Sequence, residues 1–196
     1  GLTVEAHTPI ARWAGRGAVV EGTEAQYEEE FLLANESMSE AGFEHYEVSN
    51  FSLPGKASRH NSAYWTGAAY AGIGPSAHSF DGAARRWNVS AYSEWVRCLA
   101  TGRSGVAGEE ILTPENRESE EVYLGLRTRN GLDIDEAEFP VVARWVDAGW
   151  AQLGDGQLRL TPTGWLRLDS LAADLAARRA RKPRAAASPT PSHCYI

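Results

Sequence analysis

Two stretches of this chain carry the residue types that could do chemistry. The first is Arg59-His60-Asn61-Ser62-Ala63-Tyr64-Trp65. Imidazole titrates near neutrality and ligates metals, including the iron of a macrocycle. Asn61 could orient the ring or cap a turn, and Arg59 could pair with a carboxylate such as a propionate. Tyr64 and Trp65 offer planar surfaces that stack on an aromatic macrocycle or on neighbouring side chains. The same residues also suit a compact loop with a hydrogen-bonded His60, and residue types alone favour neither reading. The second stretch is Gly72-Ile73-Gly74-Pro75-Ser76-Ala77-His78-Ser79. Glycines flanking one apolar residue permit close backbone approach to a ligand, and equally a tight turn. The third glycine of a dinucleotide fingerprint is missing, as is the Gly-Lys-Ser/Thr of a phosphate loop. Glu5-Ala6-His7-Thr8-Pro9 adds a carboxylate and an imidazole. No nucleophile with a recognisable base accompanies them, and no short spacing supports zinc.

Several elements must position these groups. Residues 2–5 have strand character, stopping at Thr8-Pro9, and 11–22 read as a linker. Thr23 caps a helix with Gln26 at the reciprocal position of a capping box, and Gly42 stops it. Tyr27, Phe31, Ala34, Met38 and Ala41 form its predicted buried stripe. The acidic run Glu28, Glu29 and Glu30 reads as a solvated face. Residues 43–50 are a second strand, so strand, helix and strand suggest a parallel crossover unit, with function at the strands' carboxyl ends. Residues 70–73 are a third strand candidate, which leaves an open edge. A helix over 90–100 carries Tyr92, Trp95, Val96 and Leu99, with Cys98 a small buried residue beside them. Residues 101–110 read as an interdomain connection.

Beyond it, Thr113-Pro114 starts a helix bearing Val122, Tyr123 and Leu126. Asp133 or Asp135 caps another with Phe139, Val142, Trp145 and Val146. Gly154-Asp155-Gly156 turns a hairpin, and Thr161-Pro162 opens a last helix with Trp165, Leu168, Leu171 and Leu175. Helices with a small hairpin suggest a winged-helix-like module. Its candidate recognition helix carries Asp135, Glu136, Glu138 and Asp147 against Arg144, which speaks against groove reading. A packing or docking domain fits better. The basic run from Arg178 to Arg184 reads as a disordered tail.

The 196 residues allow one core or two small ones, and a net charge of -7 argues against a nucleic-acid binder. Cys98 and Cys194 form neither a disulfide framework nor a metal spacing, which fits a reducing compartment, the cytoplasm. The chain begins in what looks like a strand, suggesting a piece of something longer.

Many of these residues occur together elsewhere. Leu2-Thr3-Val4-Glu5 with Thr8-Pro9, Tyr46-Glu47-Val48-Ser49-Asn50-Phe51, Pro54-Gly55, Ser58-Arg59-His60-Asn61, Tyr64-Trp65, Gly72-Ile73-Gly74 and Ala77-His78 resemble the carboxyl-terminal half of the HemW haem-chaperone family. These are radical S-adenosylmethionine (SAM) relatives of oxygen-independent coproporphyrinogen III oxidase. Leu112-Thr113-Pro114 with Gly125-Leu126-Arg127 resembles the start of the family's carboxyl-terminal domain. The likeness leaves only the tail uncovered, and its His-Asn-x-x-Tyr-Trp motif is specific to the chaperone branch.

The resemblance implies an α/β fold: the last part of a partial (β/α) radical-SAM barrel over residues 1–102, then a small helical, winged-helix-like domain over 103–177, with a tail over 178–196. It implies haem binding at His60, the metal ligand, with Tyr64, Trp65, Arg59 and Asn61 around it. A second iron ligand is left open among His7, His45, His78 and a group outside the chain. Gly72 and Gly74 would lie near the SAM end. The family protein carries a [4Fe-4S] cluster on three closely spaced cysteines, a motif that this chain lacks, so radical chemistry is not expected of it alone. The implied partners are a missing half-barrel or partner chain, a haem-acceptor protein and a membrane surface touched peripherally. Alternative readings are oxygen-independent porphyrinogen oxidation by the intact protein, and a non-catalytic interaction module.

Overall fold

The computed structural model describes residues 4–181. It is mixed α/β, and its three small sheets are all paired antiparallel. The first helix, α1, spans Pro9–Ala14. Thr8 caps it, accepting from the Ala11 amide at 3.2 Å. The Thr8-Pro9 pair, expected to end a strand, therefore starts a helix inside the supposed linker, because proline is favoured at the first helical position. Half of the strand expected over 2–5 lies outside the described residues, and Val4 and Glu5 are in no strand.

Helix α2, Glu24–Glu40, has the expected capping box between Thr23 and Gln26. Its predicted stripe is not buried: Ala34 and Ala41 are exposed, Tyr27 is 48% exposed, and only Phe31 and Met38 are half-buried. The run Glu28, Glu29 and Glu30 is solvated, as expected. The segment expected as one strand is instead a hairpin of β1, Glu44–Glu47, and β2, Asn50–Ser52. No parallel crossover joins α2 to a described strand. The turn is tight because Glu47 folds its carboxylate back onto the Ser49 amide at 3.0 Å and onto the Asn50 side chain.

Helix α3, Arg59–Trp65, is capped by Ser58, whose Oγ accepts from the Asn61 amide at 3.2 Å. Strands β3, His78–Phe80, and β4, Ala84–Asn88, follow. Asp81 turns the chain between them by accepting from the Ala83 and Ala84 amides, each at 2.8 Å. The Ala84 amide first, then Arg86, holds its carboxyl far below the usual range. Helix α4 spans Tyr92–Ala100 with Cys98 buried, but Tyr92, Val96 and Leu99 stand exposed. The segment read as a connection is strand β5, Val106–Ile111, which pairs with β4 to complete a sheet ordered β3-β4-β5. Residues 70–73 form no strand, and Tyr70 makes a single bridge to Phe80.

The main core lies farther on. Helix α5, Pro114–Arg127, starts at the Thr113 cap and buries Val122 and Leu126 completely. Strand β6, Leu132–Asp133, and a 3-10 turn, Glu136–Glu138, lead into α6, Phe139–Asp147. Strands β7, Ala151–Gly154, and β8, Gln157–Leu160, meet at Asp155-Gly156, both at positive φ as a primed hairpin turn requires. The sheet order is β6-β8-β7. The expected last helix divides into α7, Pro162–Trp165, and α8, Leu168–Ala180. Val142, Trp145, Leu158, Trp165, Leu171 and Leu175 interlock with Val122 and Leu126.

The tail reading fails at its start. Arg178 and Arg179 belong to α8, and Arg179 donates to both oxygens of the buried Glu138, at 2.8 and 3.1 Å. Pairing between residues 41 positions apart leaves no local trace in composition. Residues 182–196, including the rest of the basic run and Cys194, lie outside the described residues.

Candidate functional site

A cavity of about 610 Å³ opens between α3, the β3–β4 hairpin and α5. Such a volume falls within the range of small-molecule sites. Its aromatic wall is built by Tyr64, Trp65, Tyr70 and Phe80. Tyr64 and Tyr70 meet edge to face with centroids 4.7 Å apart, and Tyr70 lies 6.2 Å from Phe80. Backbone bonds exchanged between Tyr70 and Phe80, at 2.8 and 2.9 Å, hold that pair in register.

The polar lining is uneven. Arg85 is neutralised by a two-pronged contact with Glu120, at 2.6 and 2.9 Å. Arg117, Glu121 and Asp133 also line the cavity. Trp65 joins this wall to a buried ion pair, since the Arg127 guanidinium lies 4.2 Å over its ring. Arg127 Nη2 stands 2.9 Å from Oε2 of the fully buried Glu47. That oxygen makes no aligned hydrogen bond, so the attraction is Coulombic rather than directional.

The residues singled out by sequence separate into three groups. Tyr64 and Trp65 line the cavity, and so does His78. His60 does not; it is exposed one turn earlier on α3, its Nε2 3.3 Å from the Tyr64 hydroxyl. Arg59 is exposed and Asn61 half-buried, both outside the lining. Gly72 and Gly74 serve the chain's own path. A Cβ at 72 would come within 2.1 Å of the His78 carbonyl oxygen, while the Gly72 amide donates to Ser79 Oγ at 2.9 Å. Gly74 has φ 110, and its carbonyl accepts from Asn88 at 2.8 Å. Tyr70, Phe80 and Arg117 were missed, although the alternation His78-Ser79-Phe80 could have placed Phe80 beside His78.

His45 is a packing residue. Its Nδ1 accepts from Asn35 at 2.7 Å and its Nε2 faces the Val48 carbonyl at 3.2 Å. The ring stacks on Phe51 at 4.0 Å and meets Trp165 edge-on at 4.2 Å. Burial lowers its pKa from 6.5, against smaller opposing effects of the Val48 carbonyl and Glu47. Above pH 6.5 both folded and unfolded chains keep this ring neutral, so its contribution to stability is present in full. As the pH falls, the unfolded chain takes up the proton first and stability drops. Unfolding midpoints measured from about pH 8 to about pH 5 should fall more steeply for wild type than for His45→Gln. Parallel curves would refute this.

His7 is exposed at φ 66. Among the described residues, no group of three or more His, Cys, Asp or Glu side chains could hold a metal ion. An iron–sulfur cluster needs convergent thiolates, and the buried Cys98 is a single thiol. The described residues do not fit a cluster.

The mixed α/β fold is related to radical-SAM architecture. The chain superimposes over 88% of its length on 46% of the solved chain titled "Coproporphyrinogen III oxidase (HemN) from Escherichia coli is a Radical SAM enzyme", with TM-score 0.60 and 14% identity. No family model matches the sequence. Curated relatives do. It is 37% identical over 172 residues to the heme chaperone HemW of Mycobacterium tuberculosis strain H37Rv, covering 85% of this chain and 43% of the relative. The HemW of Lactococcus lactis is 31% identical over 70% of this chain and 36% of its own length. The bovine mitochondrial radical S-adenosyl methionine domain-containing protein 1 is 28% identical over 70% of this chain and 28% of its own length. This chain belongs to the HemW/HemN-like radical-SAM family. It spans less than half the length of these curated relatives.

Proposed function

We propose that this chain is the tetrapyrrole-handling part of a haem chaperone, a protein that binds haem and passes it to an acceptor haemoprotein. The cavity supports this most directly: four aromatic residues and two arginines, Arg85 and Arg117, line a space of about 610 Å³. Planar aromatic surfaces suit a macrocycle, and a cation suits its propionates. Haem is the cargo here, held by Tyr64 and Trp65; His60, the iron ligand that the motif implies, stands outside the lining, one turn from Tyr64. Residues 1–102 would be the closing part of the barrel and 103–177 the winged-helix-like domain, a reading supported by the β6-β8-β7 sheet among helices. The whole protein would work in the cytoplasm, with peripheral membrane contact on delivery. Among the described residues, no helix is long and apolar enough to cross a membrane.

A second reading has its own support. The solved neighbour is titled an oxidase, and its likeness extends over 88% of this chain. The same cavity would then present coproporphyrinogen III to a cluster and SAM held by residues outside this chain.

Haem titration of this chain tests the first reading. A stoichiometric, saturating Soret shift is expected, and a weak non-saturating one overturns it. Conversion of coproporphyrinogen III by the full-length protein, with no haem retained, would favour the second.

A further inference from the structure

We infer that His78 supplies an axial ligand to haem iron from the cavity wall, while His60 acts through Tyr64. The inference rests on the haem-binding reading above. Of the four described histidines, His78, exposed on β3, is the one among the cavity's lining residues. His45 has both ring nitrogens engaged among the described residues. His7 and His60 lie outside the lining, and His60 reaches it through the Tyr64 hydroxyl at 3.3 Å. Among the described residues the His78 ring makes no hydrogen bond, so its nitrogens are available to a ligand.

The strand sets its direction. His78 and Phe80 alternate with Ser79, so both project to one face of β3 while Ser79 holds the Gly72 amide on the other. Across the ladder His78 pairs with Trp87, ring centroids 6.2 Å apart. Trp87 packs against Gly108, its partner on β5, where a Cβ would meet the indole at 2.3 Å. The imidazole thus has an aromatic neighbour on a fixed support, and Phe80 beside it continues the wall toward Tyr70.

Charge gives the ligand a direction. Helix α5 borders the cavity from Arg117 to Gly125, about 12 Å of helix. Arg117 stands at one end, and Asp133 on β6 lies beyond the other. Propionates are attracted to the Arg117 end and repelled by Asp133. Glu121, one turn from Arg117, tempers that attraction, while Arg85 and Glu120 cancel each other.

The experiment titrates hemin into this chain as wild type, His78→Ala and His60→Ala, with folding checked by circular dichroism and urea unfolding. Wild type should give a saturable Soret band with a nitrogen-ligated iron spectrum. His78→Ala should bind at least about tenfold more weakly with an altered iron spectrum, and added imidazole should restore the wild-type spectrum. His60→Ala should keep the nitrogen-ligated spectrum. Failure of wild type to saturate would sink the haem-binding reading itself. Saturating wild type with an unchanged His78→Ala spectrum overturns the assignment of His78 alone. So does a folded His78→Ala that imidazole cannot restore, since the ring would then matter for shape rather than ligation. Loss of the ligated spectrum in His60→Ala overturns the role given to His60.

Discussion

Replacing Arg127 with leucine should destabilise this protein by about 3–5 kcal/mol, the usual cost of removing one partner from a buried ion pair. Glu47 is fully buried, and Arg127 keeps only 16% of its side chain exposed. Two donors, the Ser49 amide and the Asn50 side chain, already occupy Oε1. Oε2 depends on the guanidinium alone, so Arg127→Leu strands a charge rather than merely losing a contact. The leucine can still cover Trp65, which separates the charge effect from lost packing. Glu47→Gln in the Arg127→Leu background removes the stranded charge and keeps the Oε1 acceptor. Most of the lost stability should return. Urea midpoints of the single and double variants measure this directly. A single variant within about 1 kcal/mol of wild type would sink the argument, as would a double variant no more stable than the single.

Gly72→Ala is the second large expected effect. The added methyl would stand 2.1 Å from the His78 carbonyl oxygen, 2.7 Å from its carbon and 2.9 Å from the His78 amide nitrogen. These are backbone atoms and cannot rotate aside, so either β3 or the 70–74 segment must move. Overpacking of this kind costs about 1–3 kcal/mol. The displaced strand carries His78 and Phe80, so hemin affinity should fall with stability. Ile73→Ala is the control, because Ile73 is 89% exposed beside the same turn. A Gly72→Ala protein with wild-type urea midpoint and hemin binding would show that the crossing is looser than the distances imply.

How much of this was legible beforehand depended on whether the cause was local. Thr23, Thr113 and Thr161 each cap the predicted helix, because a cap needs only its own next turn. Asp155-Gly156 marked its hairpin for the same reason. Strand pairing was illegible where it depended on partners: β5 reads as a connection because Val-Ala-Gly-Glu-Glu-Ile has no apolar alternation, and only β4 beside it makes it a strand. Thr8-Pro9 fits both a strand end and a helix start, and the structure uses it as the latter. The cavity was half legible. Tyr64, Trp65 and His78 stood out by type, whereas Tyr70, Phe80 and Arg117 come together through the fold from three separate elements. The family likeness, by contrast, rested on short motifs and did not require the topology to be right.

Trp65 is a party wall. It lines the cavity and carries Arg127 over its ring, while Arg127 anchors the β1–β2 hairpin to α5 through Glu47. A ligand stacked against that indole therefore touches, at one remove, the fastening between two parts of the molecule. Thermodynamic reciprocity then acts in both directions: occupancy that steadies the indole makes the hairpin harder to prise from α5, and a loosened hairpin makes the pocket a poorer host. Slowed amide exchange in β1 and at the end of α5 would register an occupant without any spectrum of the ligand itself.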